Sequence, residues 1–525
     1  MSLSIRKSLF ITKPVSHLMR EAGESENSLK RTLGPANLIA LGIGAIIGAG
    51  LFVRTAAAAA QHAGPSVTIG FIVASIGCAF AGLCYAEFAS MIPIAGSAYT
   101  YSYATMGEFI AWVIGWDLVL EYGVGAATVA VAWSEYFNKF LEIFGTSVPY
   151  EWCHSPFQHS MDGMHHGIMN IPALAIVIVL SLLLIRGMQE SALVNAIIVV
   201  LKVAIVLVVI IVGWQYIRPE NHTPFIPAPT TYTDHQGVTY NYGGILGILG
   251  AAGTVFFAFI GFDAVSTAAQ ETKNPGKDMP IGILGSLVIC TILYILFSYV
   301  LTGIASVTEF RTEGSEASVV YAIEHMKGAI VGGVWVPAFK WLSDLVTIAI
   351  LAGFSSVILV MLMGQSRVFY SMSKDGLVPT VFSKIHPKFK TPYKSNLIFL
   401  LLVGAFASFI PGDIVGDMTS IGTLFAFILV CAGVWIMRVK HPEMKRGFRV
   451  PGVKVVAILG IIVCAAMIFG LGWINWVRLL GWLLIGFIIY FGYSRNNSKL
   501  RNPEKYPQDE RDDVHEIPED VPPLI

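Results

Sequence analysis

The sequence predicts an all-α polytopic membrane protein with twelve transmembrane helices. Three observations carry that expectation. Charged residues make up only 13% of the 525 residues and hydrophobic types 55%, whereas a soluble globular chain carries about a quarter charged residues. The charge gathers in short stretches between long apolar runs. Twelve of those runs reach or approach the ~20 apolar residues a helix needs to cross a bilayer. The mean hydropathy of +0.68 excludes an ordinary soluble enzyme. The balance of 34 Lys+Arg against 34 Asp+Glu excludes a chain that binds nucleic acid through net charge.

In order, the apolar runs lie at 35–61, 65–92, 104–140, 171–187, 191–216, 243–271, 281–305, 340–372, 395–411, 418–438, 453–471 and 474–494. Several exceed the minimum, which implies tilt or protrusion; the fourth, Ile171–Gly187, is short. The first follows a polar stretch of about 34 residues without a cleavage pattern, so it is not a signal peptide. Lys and Arg orient the spans. With the N-terminus in the cytoplasm, 26 of the 34 basic residues fall in inside segments and seven (Arg54, Lys139, Arg218, Arg311, Lys327, Lys340 and Arg478) outside. Lys202 is left inside the membrane. Both termini are therefore expected in the cytoplasm of a plasma-membrane protein. Five of the six cysteines lie within runs and only Cys153 in an outside loop, so no disulfide framework is expected. That loop, 141–170, also carries His154, His159, His165 and His166. These are metal-ligand types without a standard metal-site spacing, and the expectation is a polar surface loop with no metal. The tail 495–525, rich in Pro, Asp and Glu, is expected to be disordered.

Two runs are interrupted. Gly42-Ile43-Gly44-Ala45-Ile46-Ile47-Gly48-Ala49-Gly50 holds four glycines within nine residues, and Gly261 interrupts Phe256–Asp263 in the sixth run. Glycine weakens a helix interior by about 1 kcal/mol relative to alanine. In lipid an unwound stretch must line a cavity or lie within protein. Such a break offers N–H groups at one half-helix start and carbonyls at the other half-helix end. The first suit a carboxylate and the second an ammonium, which together describe an α-amino acid. Close helix packing is the competing account, and Gly44 and Gly48 fit it. Position favours the site: if the first ten runs form two halves of five, runs 1 and 6 correspond and cross in opposite directions, as inverted repeats do.

Gly44-Ala45-Ile46-Ile47-Gly48-Ala49-Gly50-Leu51-Phe52 resembles the first-helix signature of the amino acid–polyamine–organocation superfamily. Cys84–Phe88 through Pro93–Tyr101, and Gly261–Ala264 through Asn274–Pro280, resemble its cationic amino acid transporter branch. The resemblance covers about residues 30–495. It implies the leucine-transporter-type fold, a 5+5 inverted repeat with two peripheral helices, and secondary active transport of amino acids without a cofactor. The implied division is a tail 1–34, a transporter domain 35–494 (repeats about 35–216 and 243–438, peripheral helices about 453–494) and the tail 495–525. By matching position, Ile43, Gly44, Gly48, Ala49 and Gly50 would border the substrate carboxylate and ammonium from the first helix, and Phe256, Ala258, Phe259 and Ile260 from the sixth. Many relatives carry Thr or Ser where this chain has Ala49, so here the backbone N–H must serve.

Charges inside the membrane are the remaining candidates. Lys202 lies about eleven residues into the fifth run, near mid-bilayer, where a charge costs roughly 2.5–3.5 kcal/mol on insertion scales. Either it braces the first helix as a static cation, or it stands where relatives hold a coupling sodium ion and carries proton coupling. Glu121 sits mid-helix with Asp117 one turn earlier. It either faces the substrate side chain or pairs structurally. Asp263 reads as the N-cap of the second half of the sixth helix. Glu87 and Glu271, with Lys273 and Arg367 in the same layer, read as a cytoplasmic gate or as surface pairs. The expected function is proton-coupled amino acid uptake across the plasma membrane by a monomer; the alternatives are amino acid exchange, polyamine transport or sensing without transport. No charge ring suggests a channel, and no HExxH, GxSxG or P-loop pattern suggests an enzyme.

Overall fold

The computed structural model describes residues 9–14, 33–92, 97–160, 163–187, 192–234, 236–312, 318–331, 334–502 and 505. Residues 93–96 of the motif above, most of the two tails and the Glu271 side chain lie outside them. The bundle is built from α1 (Pro35–Ile46), α2 (Val67–Met91), α3, α4 (Ile171–Ile185), α5 (Ala192–Gly213), α6 (Gly244–Phe256), α7 (Pro275–Ile304), α8 (Lys340–Lys374), α9 (Tyr393–Phe409), α10 (Gly412–Lys440), α11 (Val453–Gly470) and α12 (Trp473–Ile489). Here α3 joins Glu108–Leu118 to Gly125–Glu142 through a π turn, Val119–Val124. Among the described residues nine helical spans are long and apolar enough to cross a membrane; α1, α4 and α9 are apolar but shorter. Many large apolar side chains, such as Val200, Leu401 and Ile488, are exposed on these helices, as a surface facing lipid requires.

Several boundaries differ from the sequence expectation. α7 starts at Pro275 rather than 281, because Pro at the first helical position is compatible with a helix start. α10 starts at Gly412, directly after Pro411, rather than at 418. The third run does not begin at 104. A separate helix, Ser97–Thr105, precedes it, and Gly107 (φ +94°) turns the chain against the backbone of Phe10. The connections also hold two hairpins that an all-α reading does not anticipate, β1 (Thr230–Thr233) with β2 (Thr239–Tyr242) and β3 (Gly328–Val331) with β4 (Val334–Pro337).

α7 packs along α2 and α1, α6 along α2 and α11, α8 along α3, and α4 along α9. Small residues bring these helices close. A Cβ on Gly253 of α6, for example, would lie 2.6 Å from Leu471 just past α11. α12 is fastened to α3 by stacked Trp116 and Trp482, with ring centroids 4.5 Å apart.

At the end of the bundle that carries the basic 367–394 and 438–454 loops, three carboxylates, buried Glu87 and Glu108 and partly exposed Asp375, gather the chain. Glu87, 2% exposed, accepts Arg438 Nε and Nη2 at 2.6 and 2.7 Å, Arg446 Nε at 3.1 Å and the Val450 amide at 2.8 Å. Its partners are thus these arginines and not Lys273 or Arg367. Glu108 accepts the hydroxyls of Tyr490 and Ser498 and the guanidinium of Arg501. The packed chain therefore runs past residue 494 into the segment expected to be disordered. Asp375 accepts Lys13 Nζ at 2.8 Å and the Tyr99 hydroxyl at 2.7 Å.

Removing one partner of a buried ion pair leaves the other charge uncompensated, at a cost of about 3–5 kcal/mol. Glu87→Ala should therefore lower the melting temperature of the detergent-purified protein markedly, whereas Lys273→Ala should not. Equal effects of the two changes would contradict the assigned pairing.

Candidate functional site

α1 stops at Ile46. Ile47 (φ −73°, ψ 103°) and Gly48 (φ −153°, ψ −149°) leave the helical region, and the helix resumes over Ala49–Phe52 and Arg54–Ala58. α6 ends at Phe256, makes one 3-10 turn over Phe257–Phe259, extends at Ile260 and turns at Gly261 before a 3-10 stretch, Asp263–Glu271. Gly261 has φ +113°, where L side chains are strained, and a Cβ there would lie 2.9 Å from the Ala45 carbonyl oxygen. A Cβ on Gly50 would lie 2.2 Å from Ala258 Cα. The two interruptions therefore meet backbone to backbone.

Two side chains from neighbouring helices bind the freed carbonyls. The Tyr294 hydroxyl of α7 is shared between Ile46 O (3.0 Å) and Ala258 O (2.9 Å), one from each interruption. Lys202 Nζ of α5 donates to Gly44 O at 2.8 Å. The Lys202 stem lies against α8, where a Cβ on Gly353 would be 2.8 Å from Lys202 Cε. The resumed helix begins at Ala49 and Gly50, where first-turn N–H groups have no partner within a helix.

Ile43, Gly44, Gly48, Ala49 and Gly50, with Phe256, Ala258, Phe259 and Ile260, are all buried at these facing interruptions. Glu121 is elsewhere. It lies in the π turn of α3 with its carboxyl beside that of Asp263, and it does not line the cavity at the site. Among the described residues no hydrogen-bond partner reaches the carboxylate oxygens of Glu121 or Asp117, or Oε1 and Nε2 of Gln365. Asp263 stands one residue inside its helical stretch rather than at the cap, and its Oδ2 accepts the Tyr122 hydroxyl at 2.5 Å.

A cavity of about 490 Å³ runs from Ala49 to the end opposite the basic loops, past Arg54, Thr128 and Tyr240 to His154, Gln158 and Asp413. Arg54, counted above among the outside basic residues, is 2% exposed within this passage. It binds Asp413 (2.8 Å) and Asp417 of α10. Beyond it, His159 and His166 share a 2.7 Å contact and His165 binds Glu151 at 2.8 Å. The Glu151 carboxyl is held below its usual range by its own backbone amide and then by His165. Among the described residues no three His, Cys, Asp or Glu side chains converge as metal ligands.

Sequence reasoning missed Tyr294 and the Arg54 pairs. Asp413 and Asp417, four apart on one helix face, were the available signal for the second. Tyr294 was camouflaged as one aromatic in an apolar run.

The model of the family described as Amino acid permease matches residues 33–493. The branched-chain amino acid permease BcaP of Bacillus subtilis (strain 168) is 43% identical over 94% of this chain and 100% of its own length. The methylthioribose transporter of the same organism is 40% identical over 94% of this chain and 99% of its own. A vacuolar cationic amino acid transporter 4 of Arabidopsis thaliana is 32% identical over 81% of this chain and 66% of its own.

Tyr294→Phe removes the hydroxyl that donates to two buried carbonyls, Ile46 O and Ala258 O. Leaving such groups unpaired costs about 1–3 kcal/mol. A lower melting temperature in detergent is expected, and an unchanged one would show that neither interruption depends on Tyr294.

Proposed function

The chain belongs to the amino acid permease family, and on that premise we propose that it takes up an aliphatic α-amino acid by proton-coupled alternating access. It is a multi-pass membrane transporter and not an enzyme. The finer reading makes α1–α5 and α6–α10 two inverted repeats, with α11 and α12 peripheral and both termini cytoplasmic at the plasma membrane. The matching way in which α7 packs on α1 and α2 packs on α6 supports it. So does the weight of basic residues at one end.

One observation carries the proposal. The broken segments of α1 and α6 face each other with a helix start at Ala49 and Gly50 and carbonyls held by Tyr294 and Lys202, beside a passage that reaches Ala49. A zwitterion matches such a pair of half-helix ends. The substrate side chain then meets apolar walls: Val357 lies across from Gly48, and Met361 across from Gly125. Of the carboxylates near the site, Glu121 is turned to Asp263 and Asp413 to Arg54, while Glu135 lines the passage beside apolar Val131 and Ala132. Identity of 40% to a relative named for methylthioribose argues that scaffold alone does not set the cargo, so the substrate reading rests on these walls.

In the proposed cycle Lys202 is the coupling residue. Its ammonium ties α5 to the last turn of α1 without a metal ion, and loss of its proton would release Gly44 O. In proteoliposomes with an inward proton gradient, the wild-type protein should accumulate leucine or a similar aliphatic amino acid. An excess of unlabelled isoleucine should compete, and lysine should not. Lys202→Met should keep counterflow but lose the gradient-driven accumulation. Unchanged accumulation by the variant would refute coupling through Lys202, and competition by lysine would refute the substrate class.

A further inference from the structure

The strongest feature outside the transport passage is a groove on the lipid-facing side of α7, at the end that carries the basic loops. It measures about 620 Å³, within the roughly 300–1,000 Å³ of ligand pockets. One wall is a stripe of α7 running from Lys277 through Ile281 and Leu284 to Val288. These positions recur every three or four residues and so share a helix face. From Gly276 to Ile289 the stripe covers about 20 Å of helix axis. That exceeds the ~15 Å of hydrocarbon in one leaflet. The lining is almost wholly apolar except at its end, where the Lys277 ammonium sits.

The opposite wall is a loop fixed in place rather than a loose flap. Gly447 and Phe448 form it. The Phe448 amide donates to Ser90 Oγ at 3.0 Å, the neighbouring Val450 amide to Glu87 at 2.8 Å, and Arg446 clamps the same carboxylate. Gly447 rests on the start of α7, so closely that a Cβ on it would be 2.5 Å from Gly276 O. Around this mouth Lys273, Lys277, Lys445 and Arg449 are exposed. The acidic side chains nearby are engaged: Glu87 by two arginines, Asp278 by the Asn274 amide and Glu443 by His441. The described side chains thus make the mouth basic at the end of the bundle that carries the basic loops, and the rest of the groove is hydrocarbon-compatible.

We propose that this groove is a binding site for an anionic phospholipid of the cytoplasmic leaflet. Its phosphate sits among Lys277, Lys273 and Arg449, and one acyl chain lies along α7 between Ile281 and Phe448. Charge complementarity selects the headgroup and the apolar stripe takes the chain. The floor at Gly285 is the Ile39 side chain of α1, about 3.0 Å from a Cβ built there. A lipid in the groove thus rests on the half-helix that ends at the interruption.

The test uses the purified full chain with phosphatidylglycerol, phosphatidylcholine or water-soluble glycerol 3-phosphate, read by native mass spectrometry and by the shift in melting temperature. Phosphatidylglycerol should bind and stabilise in preference to phosphatidylcholine, and glycerol 3-phosphate should do neither. Each basic side chain near a membrane surface contributes about 1 kcal/mol to anionic-lipid attraction, so Lys277→Gln with Arg449→Gln should weaken phosphatidylglycerol about thirtyfold. A control, Lys384→Gln with Lys388→Gln on another loop of the same end, should keep the preference. Val288→Trp, which fills the apolar stripe, should reduce occupancy by both lipids. Equal binding of the two lipids by the unaltered chain, loss in the control pair to the same extent, a response to glycerol 3-phosphate matching that to phosphatidylglycerol, or a dimer that forms in place of lipid adducts would each overturn the assignment. The readout is lipid occupancy, so it stands or falls independently of substrate and proton coupling.

Discussion

The structure depends on one constraint: inside a bilayer every backbone polar group needs a partner within the protein. The interruptions at Ile47–Gly48 and at Ile260–Gly261 violate regular helix bonding at the most apolar depth of the molecule. Each unpaired group costs about 1–3 kcal/mol, so a handful of them would match the whole 5–15 kcal/mol by which a protein is stable. Tyr294 and Lys202 offset that cost. Tyr294 does so economically, because its hydroxyl reaches Ile46 O and Ala258 O together. A shared proton makes each contact weaker than a full hydrogen bond, and it makes the two interruptions a single unit: neither carbonyl moves without disturbing the other.

Sharing a hydroxyl requires the two segments to approach within backbone contact, which explains where the glycines are indispensable. At Gly50 a side chain would overlap the Ala258 backbone, and at Gly261 it would meet Ala45 O while forcing a strained φ. Gly44 and Gly42 instead admit Val199 and Ser286 side chains from α5 and α7. The same short sequence therefore serves both accounts that it raises, helix packing along one face and an opened backbone along the other.

The fold was legible because burial in lipid imposes long apolar runs, and those runs survive any detail of packing. Ends were misread where a helix extends past its apolar stretch. α7 begins in polar Pro275–Asp278, and α10 in Gly412–Asp417. The glycine breaks were legible for the same reason that they work, since no other residue tolerates such contact. Partners across the bundle were not. Glu87 meets Arg438 from a helix some 350 residues away, and nothing in local pattern distinguishes that arginine from Lys273. For Glu121 the sequence left a substrate-facing and a structural role open, and the fold sets its carboxyl, in the π turn at Val119–Val124, beside that of Asp263.

Ion pairs close both ends of the bundle, and they are not equivalent. At the passage end Arg54 holds Asp413, whose side chain is 49% exposed, and Asp417, 14% exposed. Water reaches the Asp413 carboxylate, so that contact contributes little, whereas Arg54 itself is buried and loss of both carboxylates would strand its charge. At the basic end Glu87 and Glu108 are 2% and 0% exposed and are each held by several donors, drawn from separate parts of the chain. Breaking those contacts strands buried charge unless all the donors leave together. The two ends thus differ in how many parts of the chain hold them. At the Arg54 end both carboxylates come from α10 alone, whereas the basic end joins α10, the 438–454 loop and the segment after α12. The shared α1–α6 unit connects to the basic end through α7, which carries Tyr294 and packs directly against α2, which carries Glu87.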